Sequence, residues 1–376
     1  MTTKPNSPSS DSAPIIPAQR TSRRRFLLGF GAGAVALGLA GHKIFASDLF
    51  AKKPQPVAGG SLGSLKFAHR TSVALGSPIS MLVLHEDRSV GERALDDAFG
   101  ELARVENVMS IYLPQSQLSR LNAEGALKAP DPYLVQIVGQ ALSMAEQSAG
   151  AFDITVQPLW TLYSDAQKGG RLPSPKEIAA VLPHVDWRGV SVSANEIRLR
   201  DRAMAITLNG IAQGFAADRA MEALKRHGIQ HALVNAGEIS SLGRKATGDS
   251  WVVGIQHPRK KDAYLGLAGL DGRCLSTSGD YETTFTPDFS RNHIFDPATG
   301  NSPAAFSSVT VIAPDATTAD ALSTAIFVLG PERGLELAAK TPGADVLLVM
   351  KDQRMMATPG FPWCTESTEK PQSLPS

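Results

Sequence analysis

Cysteine is nearly missing from this chain: Cys274 and Cys364 are the only two in 376 residues, far apart and without metal-ligand spacing. A thiolate-held metal is therefore not expected. One disulfide is chemically open in an oxidising compartment, and the spacing does not decide it. An excess of charge is also missing, since 37 Lys and Arg face 36 Asp and Glu, for a formal net charge of +1. A nucleic-acid partner is not expected, because binding phosphates needs a basic field. The uncharged apolar run Gly29 to Gly41 falls short of the ~20 residues of a membrane-spanning helix. No G-x-G-x-x-G follows a strand-like segment, which argues against a Rossmann nucleotide site. No internal repeat interrupts residues 65–363. What remains is a globular composition, 43% hydrophobic and 19% charged, long enough to bury a substantial core.

The N-terminal fifty residues differ from the rest. Met1 to Arg20 is rich in Ser, Pro and Thr without apolar periodicity, the composition of a disordered segment. Thr21-Ser22-Arg23-Arg24-Arg25-Phe26-Leu27-Leu28 then precedes the Gly/Ala-rich apolar run. Paired arginines ahead of a modestly hydrophobic run match a twin-arginine export signal. A surface helix would need a polar face that this run lacks. The expectation is a periplasmic protein, exported folded and handling a cofactor. No cysteine lies near the run, which excludes lipid attachment through one. An uncleaved signal that associates with the membrane stays open. The expected organisation is signal segment 1–47, Pro/Gly-rich linker 48–64, a catalytic domain 65–363 and a tail 364–376.

Within 65–363 helices and strands alternate irregularly, the pattern of an α+β fold rather than a doubly wound sheet. Thr71 to Leu84 reads as a strand interrupted at Gly76-Ser77-Pro78. Helical spacing of apolar residues predicts helices over 89–109, capped by Ser89, over 132–149, ended by Gly150, over 211–226 and over 318–329. Short strands are expected at 232–235, 251–255, 308–312 and 346–350.

Four constellations carry chemistry. Asp320 and Thr324 are one helical turn apart, and a carboxylate with a hydroxyl offers hard oxygens to a magnesium-type cation. The same pair also suits an ordinary helix start, where Asp favours the dipole and Thr bonds its own backbone. Asn209-Gly210-Ile211-Ala212-Gln213-Gly214 puts two glycines at a helix start, where backbone approaches an anion closely or a second helix packs. Ser276-Thr277-Ser278-Gly279-Asp280-Tyr281 reads as a polar loop, followed by His293-Ile294-Phe295-Asp296-Pro297, whose histidine is a candidate base or a structural side chain. Asp153 sits in the apolar, strand-like Gly150 to Val156. A buried carboxylate there needs either a structural partner or a ligand donor.

Taken in order, these stretches resemble the FAD:protein FMN transferase (ApbE) family from about Thr71 to Leu348. Further matching segments are Ser110 to Ser116 with Arg120-Leu121-Asn122, Pro158-Leu159, Leu233 to Gly237, Trp251 with Gly254-Ile255, and Thr299-Gly300. The resemblance implies an α+β assembly of T-fold-like halves, antiparallel sheet and helices, with FAD in a cleft. It implies Leu75, Ala151, Phe152, Asp153, Thr207, Gln213 and Ile294 around FAD. Mg2+ would sit on Asp320, Thr324 and the Gly210 carbonyl, and His293 would be the base that activates an acceptor threonine. The implied reaction moves FMN from FAD onto that threonine and releases AMP. The implied acceptor is a flavoprotein subunit of a periplasm-facing redox complex. The chain departs from the family pattern at Thr207, often Asp, at Gln213, often acidic or Lys, at Leu75, usually Met, and at Ala236-Gly237-Glu238 in place of Gly-Gly-Asp. Two rival activities stay open at this point: an FAD pyrophosphatase giving FMN and AMP, and a non-catalytic FAD-binding maturation factor.

Overall fold

A computed structural model describes residues 64–364 and 372–373. The signal segment, nearly all of the linker and most of the tail lie outside the described residues. Strands β1 (Lys66–Ala74) and β2 (Ser77–His85) form an antiparallel hairpin in which Ala74 pairs with Ser77. The break is therefore the two-residue turn Leu75-Gly76, and Pro78 already lies in β2. Leu75 (φ 52) and Gly76 (φ 74) both take positive φ, as a tight hairpin turn of matching twist requires.

The main helices follow from their apolar stripes. Helix α1 (Arg88–Met109) buries Ala94, Leu95, Ala98, Leu102, Val105 and Val108. Asp87, not the expected Ser89, caps it by accepting the Ser89 backbone N–H at 2.8 Å. Then come α2 (Gln117–Glu124), β3 (Ala126–Lys128) and α3 (Pro132–Gln147). Past α3, Ala149 and Gly150 turn to positive φ, and the Gly150 N–H donates to the Ala145 carbonyl at 2.7 Å, closing the helix end. A single 3-10 turn at Ile154–Val156 leads into α4 (Gln157–Lys168), α5 (Pro175–Val181), β4 (Val190–Val192) and β5 (Glu196–Leu199).

The second half holds α6 (Ala212–Arg226), β6 (His231–Asn235), β7 (Ile239–Leu242), β8 (Trp251–Gln256) and β9 (Tyr264–Leu270). It continues with β10 (Cys274–Gly279), β11 (Phe306–Ala313), α7 (Ala316–Leu329), α8 (Pro331–Ala339), β12 (Asp345–Met350), β13 (Met355–Ala357) and β14 (Gln372–Ser373). The expected loop over 276–279 is thus strand β10, which pairs with β7 and β11. Its serines face α7 and are bonded there, so a polar sequence forms a buried strand. Cys274 and Cys364 form no disulfide.

Among the described residues the main sheet has nine strands in the order β1-β2-β6-β7-β10-β11-β12-β13-β14, antiparallel except for the pairing of β13 with β14. One face carries Met81, Val83, Val234, Val311, Val346 and Leu348 into the core with α1, α6 and α7. The opposite face packs Leu275, Ile312, Leu347 and Val349 under the β8–β9 hairpin, against Trp251, Val253, Ile255 and Leu270. Burial on both faces makes β12 read as an unbroken apolar run. The architecture is α+β.

Helices α6 and α7 cross at Gly214. A Cβ there would lie 2.2 Å from the Ala316 carbonyl oxygen and 2.9 Å from the Asp320 Cβ. Both neighbours are fixed, so Gly214→Ala is expected to destabilise the protein by about 1–3 kcal/mol through overpacking. The check is a lower urea midpoint, and an unchanged midpoint would show that the helices separate freely.

Candidate active site

Helix α7 is pinned before it reaches the site. Asp218 on α6 accepts the backbone N–H groups of Ala316 and Thr317, each at 2.9 Å, and the Thr317 hydroxyl at 2.5 Å. Asp315 caps the same end through the Thr318 N–H at 2.7 Å. These bonds satisfy helix-start donors with carboxylates and fix the rotation of α7. One turn on, Asp320 accepts the Gly214 N–H at 3.0 Å. The Thr324 hydroxyl lies 3.1 Å from Ser278 Oγ of β10. Gly210 passes directly over Thr324, since a Cβ on Gly210 would come within 3.1 Å of its hydroxyl. The two glycines therefore serve both readings offered by the sequence, close packing at 214 and backbone approach at 210.

Asp320, Thr324 and Gly210 share one cavity of about 220 Å³ with Ala151, Phe152, Asp153, Thr207, Gln213, His293 and Ile294. A single ordered water needs only ~10–15 Å³ by such a measure, so the space is of ligand size. Leu75 is not among the lining residues; Ser77, two residues on, is, and accepts a hydrogen bond from Gln213 Nε2 at 3.2 Å.

The electrostatics of the cavity would suit a cation. Burial pushes the Asp320 carboxyl up to about 7, opposed by the Gly214 N–H and reinforced by the Asp218 charge. Burial likewise drives Glu238, on the cavity wall, well above the usual carboxylate range, with the Asp320 charge adding to it. Among the described residues neither Asp320 nor Glu238 forms an ion pair with a basic side chain. Buried, like-charged carboxylates of this kind are relieved by a bound cation. Among the described residues no group of three or more His, Cys, Asp and Glu is placed to hold a metal. The available donors are instead one carboxylate, one hydroxyl and one backbone carbonyl, all hard oxygens that suit magnesium.

His293 closes an arch that begins where β10 ends. Its backbone N–H donates to the Thr283 carbonyl at 3.0 Å, and its Nδ1 lies 3.2 Å from the same oxygen. A carbonyl only accepts, so the neutral ring carries its proton on Nδ1 and its basic lone pair on Nε2. Burial pushes the imidazole down to about 4, with Thr283 and the Asp280 charge opposing. The ring is therefore neutral at pH 7 and able to take a proton.

Asp153 is not in a strand. It caps the 3-10 turn: Oδ1 accepts the Thr155 N–H at 2.7 Å and the Thr155 hydroxyl at 2.6 Å, and Oδ2 accepts the Trp187 N–H at 3.0 Å. Of the two roles open to it, the structural partner is present, and the residue also lines the cavity. Ser77, Trp160, Tyr281 and Glu282, none of which is a candidate site residue from the sequence, also line the cavity. Trp160 carries no distinguishing signal, because its spacing from Tyr163 on α4 reads as core. Glu282, two residues past Asp280 in a polar stretch, is the one that the charge pattern exposes.

The ApbE family profile matches residues 75–348. The FAD:protein FMN transferase of Treponema pallidum (strain Nichols) is 35% identical over 291 residues, covering 71% of this chain and 80% of the relative. The FAD:protein FMN transferase of Escherichia coli (strain K12) is 32% identical over 261 residues, covering 66% and 74%. The crystal structure of the ApbE protein of Thermotoga maritima MSB8 superposes with a TM-score of 0.70 at 29% identity, covering 77% of this chain and 96% of that one. The apo crystal structure of the Pseudomonas stutzeri flavinyl transferase ApbE gives 0.67 at 30% identity, covering 76% and 92%. With its profile match spanning most of the described residues, and with that fold and cavity, the chain belongs to the ApbE family.

Proposed function

We propose that this protein transfers FMN from FAD to a threonine hydroxyl of a partner protein and releases AMP. The single observation that carries the reading is that His293 and the Asp320, Thr324 and Gly210 oxygen donors line one cavity. FAD would lie along Ala151, Phe152, Asp153, Thr207, Gln213 and Ile294, with Ser77 rather than Leu75 on the hairpin side of the cavity. Mg2+ bound by the Asp320 carboxylate, the Thr324 hydroxyl and the Gly210 carbonyl would neutralise the pyrophosphate and polarise its phosphorus.

The acceptor hydroxyl oxygen forms a bond to the phosphorus of the FMN half. The bond from that phosphorus to the bridging oxygen breaks, and the bridging oxygen leaves with AMP. Threonine is a poor nucleophile at its own pKa, so its proton must go to a base as the bond forms. His293 Nε2 receives it, and the Nδ1–H bond to Thr283 steadies the imidazolium that results. Asp153, held by three donors, keeps the floor of the cavity rigid.

The paired arginines Arg23 and Arg24 ahead of an apolar run support export by the twin-arginine route to the periplasm. The acceptor is then a flavoprotein subunit of a periplasm-facing redox complex. Among the described residues no helix is long and apolar enough to cross a membrane. An uncleaved signal segment would supply any membrane association.

The test uses FAD, magnesium and a flavin-free domain of the type that carries FMN on a threonine through a phosphoester. AMP release is expected to depend on that acceptor and to match its labelling one for one. AMP released at the same rate without acceptor would make the protein an FAD pyrophosphatase instead.

A further inference from the structure

The arch that carries His293 is held from below by charges outside the cavity. Asp280, fully buried, accepts two hydrogen bonds from Arg259, at 2.6 and 2.7 Å, and a third from Lys351 Nζ. Such a bidentate, charge-assisted grip is strong and directional. Arg259 also donates to Ser307 Oγ at 2.9 Å and lies 4.2 Å from the centre of the Phe289 ring. Three chain segments that follow β8, β10 and β12 thus converge on one carboxylate, and none of the three charged residues lines the cavity.

Lys351 has a second bond. Its Nζ donates to the Phe289 carbonyl at 3.0 Å. Asn292 Nδ2 donates to that same carbonyl at 3.3 Å, and Asn292 Oδ1 accepts the Ile294 N–H at 3.0 Å. Ser302 Oγ bonds both the N–H and the carbonyl of Asn292, each at 2.8 Å. The path therefore runs from Asp280 through Lys351 to the crown of the arch, then through Asn292 to the residue beside it, His293. Phe289 itself takes φ 61, a left-handed conformation that a bulky side chain adopts only when its surroundings hold it there.

We infer that Lys351, clamping Asp280 and the Phe289 carbonyl together, is a positioning residue that sets where His293 Nε2 stands over the acceptor hydroxyl. The inference rests on His293 being the base. A misplacement of about 1 Å caused by a change remote from the chemistry costs rate on the order of up to 10²-fold, and only one of three bonds on Asp280 is at stake.

The experiment compares Lys351→Met and Lys351→Arg in the wild-type and His293→Ala backgrounds, measuring kcat and the KM for FAD with the acceptor domain. Lys351→Met leaves Asp280 paired with Arg259, which keeps the fold. Its kcat is expected to fall by about 10-fold, with KM for FAD within about 2-fold, and Lys351→Arg is expected to restore most of the rate. In the His293→Ala background Lys351→Met is expected to cost nothing further, because groups acting as a unit are not additive. A wild-type kcat in Lys351→Met, or an equal loss in both backgrounds, would overturn the inference. If His293→Ala itself transfers at the wild-type rate, the base assignment has failed and the brace falls with it, an outcome distinct from failure of the brace alone.

Discussion

His293→Ala is expected to lower FMN transfer by about 10²–10⁴-fold, the usual contribution of a positioned general base, while FAD still binds. The argument is geometric first. The Thr283 carbonyl holds the proton on Nδ1, which makes Nε2 the acceptor, and His293 lines the cavity. The pH dependence carries a definite sign. Burial disfavours the charged imidazolium and pushes the pKa down to about 4, so the base form persists well below the ordinary histidine range. The acid limb of kcat/KM set by this group should thus fall near pH 4 rather than near 6.5. FAD affinity by fluorescence quenching, beside the transfer rate, separates the two roles. Weakened FAD binding with proportionate loss of rate would make His293 a binding residue.

The second large effect concerns the buried carboxylate on α7. Asp320→Asn is expected to lower transfer by at least about 10²-fold, the scale set by removing one electrostatic donor from a reacting phosphoryl group. It should nonetheless fold at least as stably as wild type without metal. Asparagine keeps an oxygen for the Gly214 N–H and removes a carboxyl whose pKa burial raises to about 7, so the cost of ionising it in a buried site disappears. Thermal melting with FAD gives the check. Magnesium should raise the wild-type melting temperature by linkage and leave that of Asp320→Asn unmoved. Equal shifts in both proteins would place the ion elsewhere.

The parts of the fold legible in the sequence were those with a dominant period. Helices α1, α3, α6 and α7 each carry an apolar stripe at helical spacing, so their cores were readable to within a few residues. Their ends were less so, because caps depend on competition between neighbours, as Asp87 displacing Ser89 shows. The stretch 276–279 reads as a loop yet folds as strand β10, for a physical reason. Ser276 and Ser278 look like turn residues, yet Ser278 bonds Ser323 at 2.7 Å and Ser276 lies 3.4 Å from the same hydroxyl. Only the arrival of α7, some forty residues later in the chain, satisfies those groups and makes a polar strand buriable.

The candidate site was legible as types of chemistry and, through resemblance, as positions. The Asp320/Thr324 pair is a local signal, because one helical turn fixes its face. Its pairing with Gly210 is not local. It depends on Gly214 permitting the close crossing and on Asp218 capping α7, both visible only once the helices are packed. Glu238 shows the same limit. In sequence it is a departure after Gly237; in the fold it is a second buried carboxyl close enough to Asp320 for the charge of one to raise the pKa of the other. Asp153 was ambiguous because no spacing rule connects it to the Trp187 N–H that it accepts.

Intact-protein mass spectrometry of a flavin-free acceptor domain, incubated with this protein, FAD and magnesium, bears on the whole scheme at once. The account predicts a mass increase equal to FMN less one water, mapped by peptide fragmentation to one threonine, with AMP appearing in equal amount. An acceptor of unchanged mass beside accumulating free FMN and AMP would contradict it.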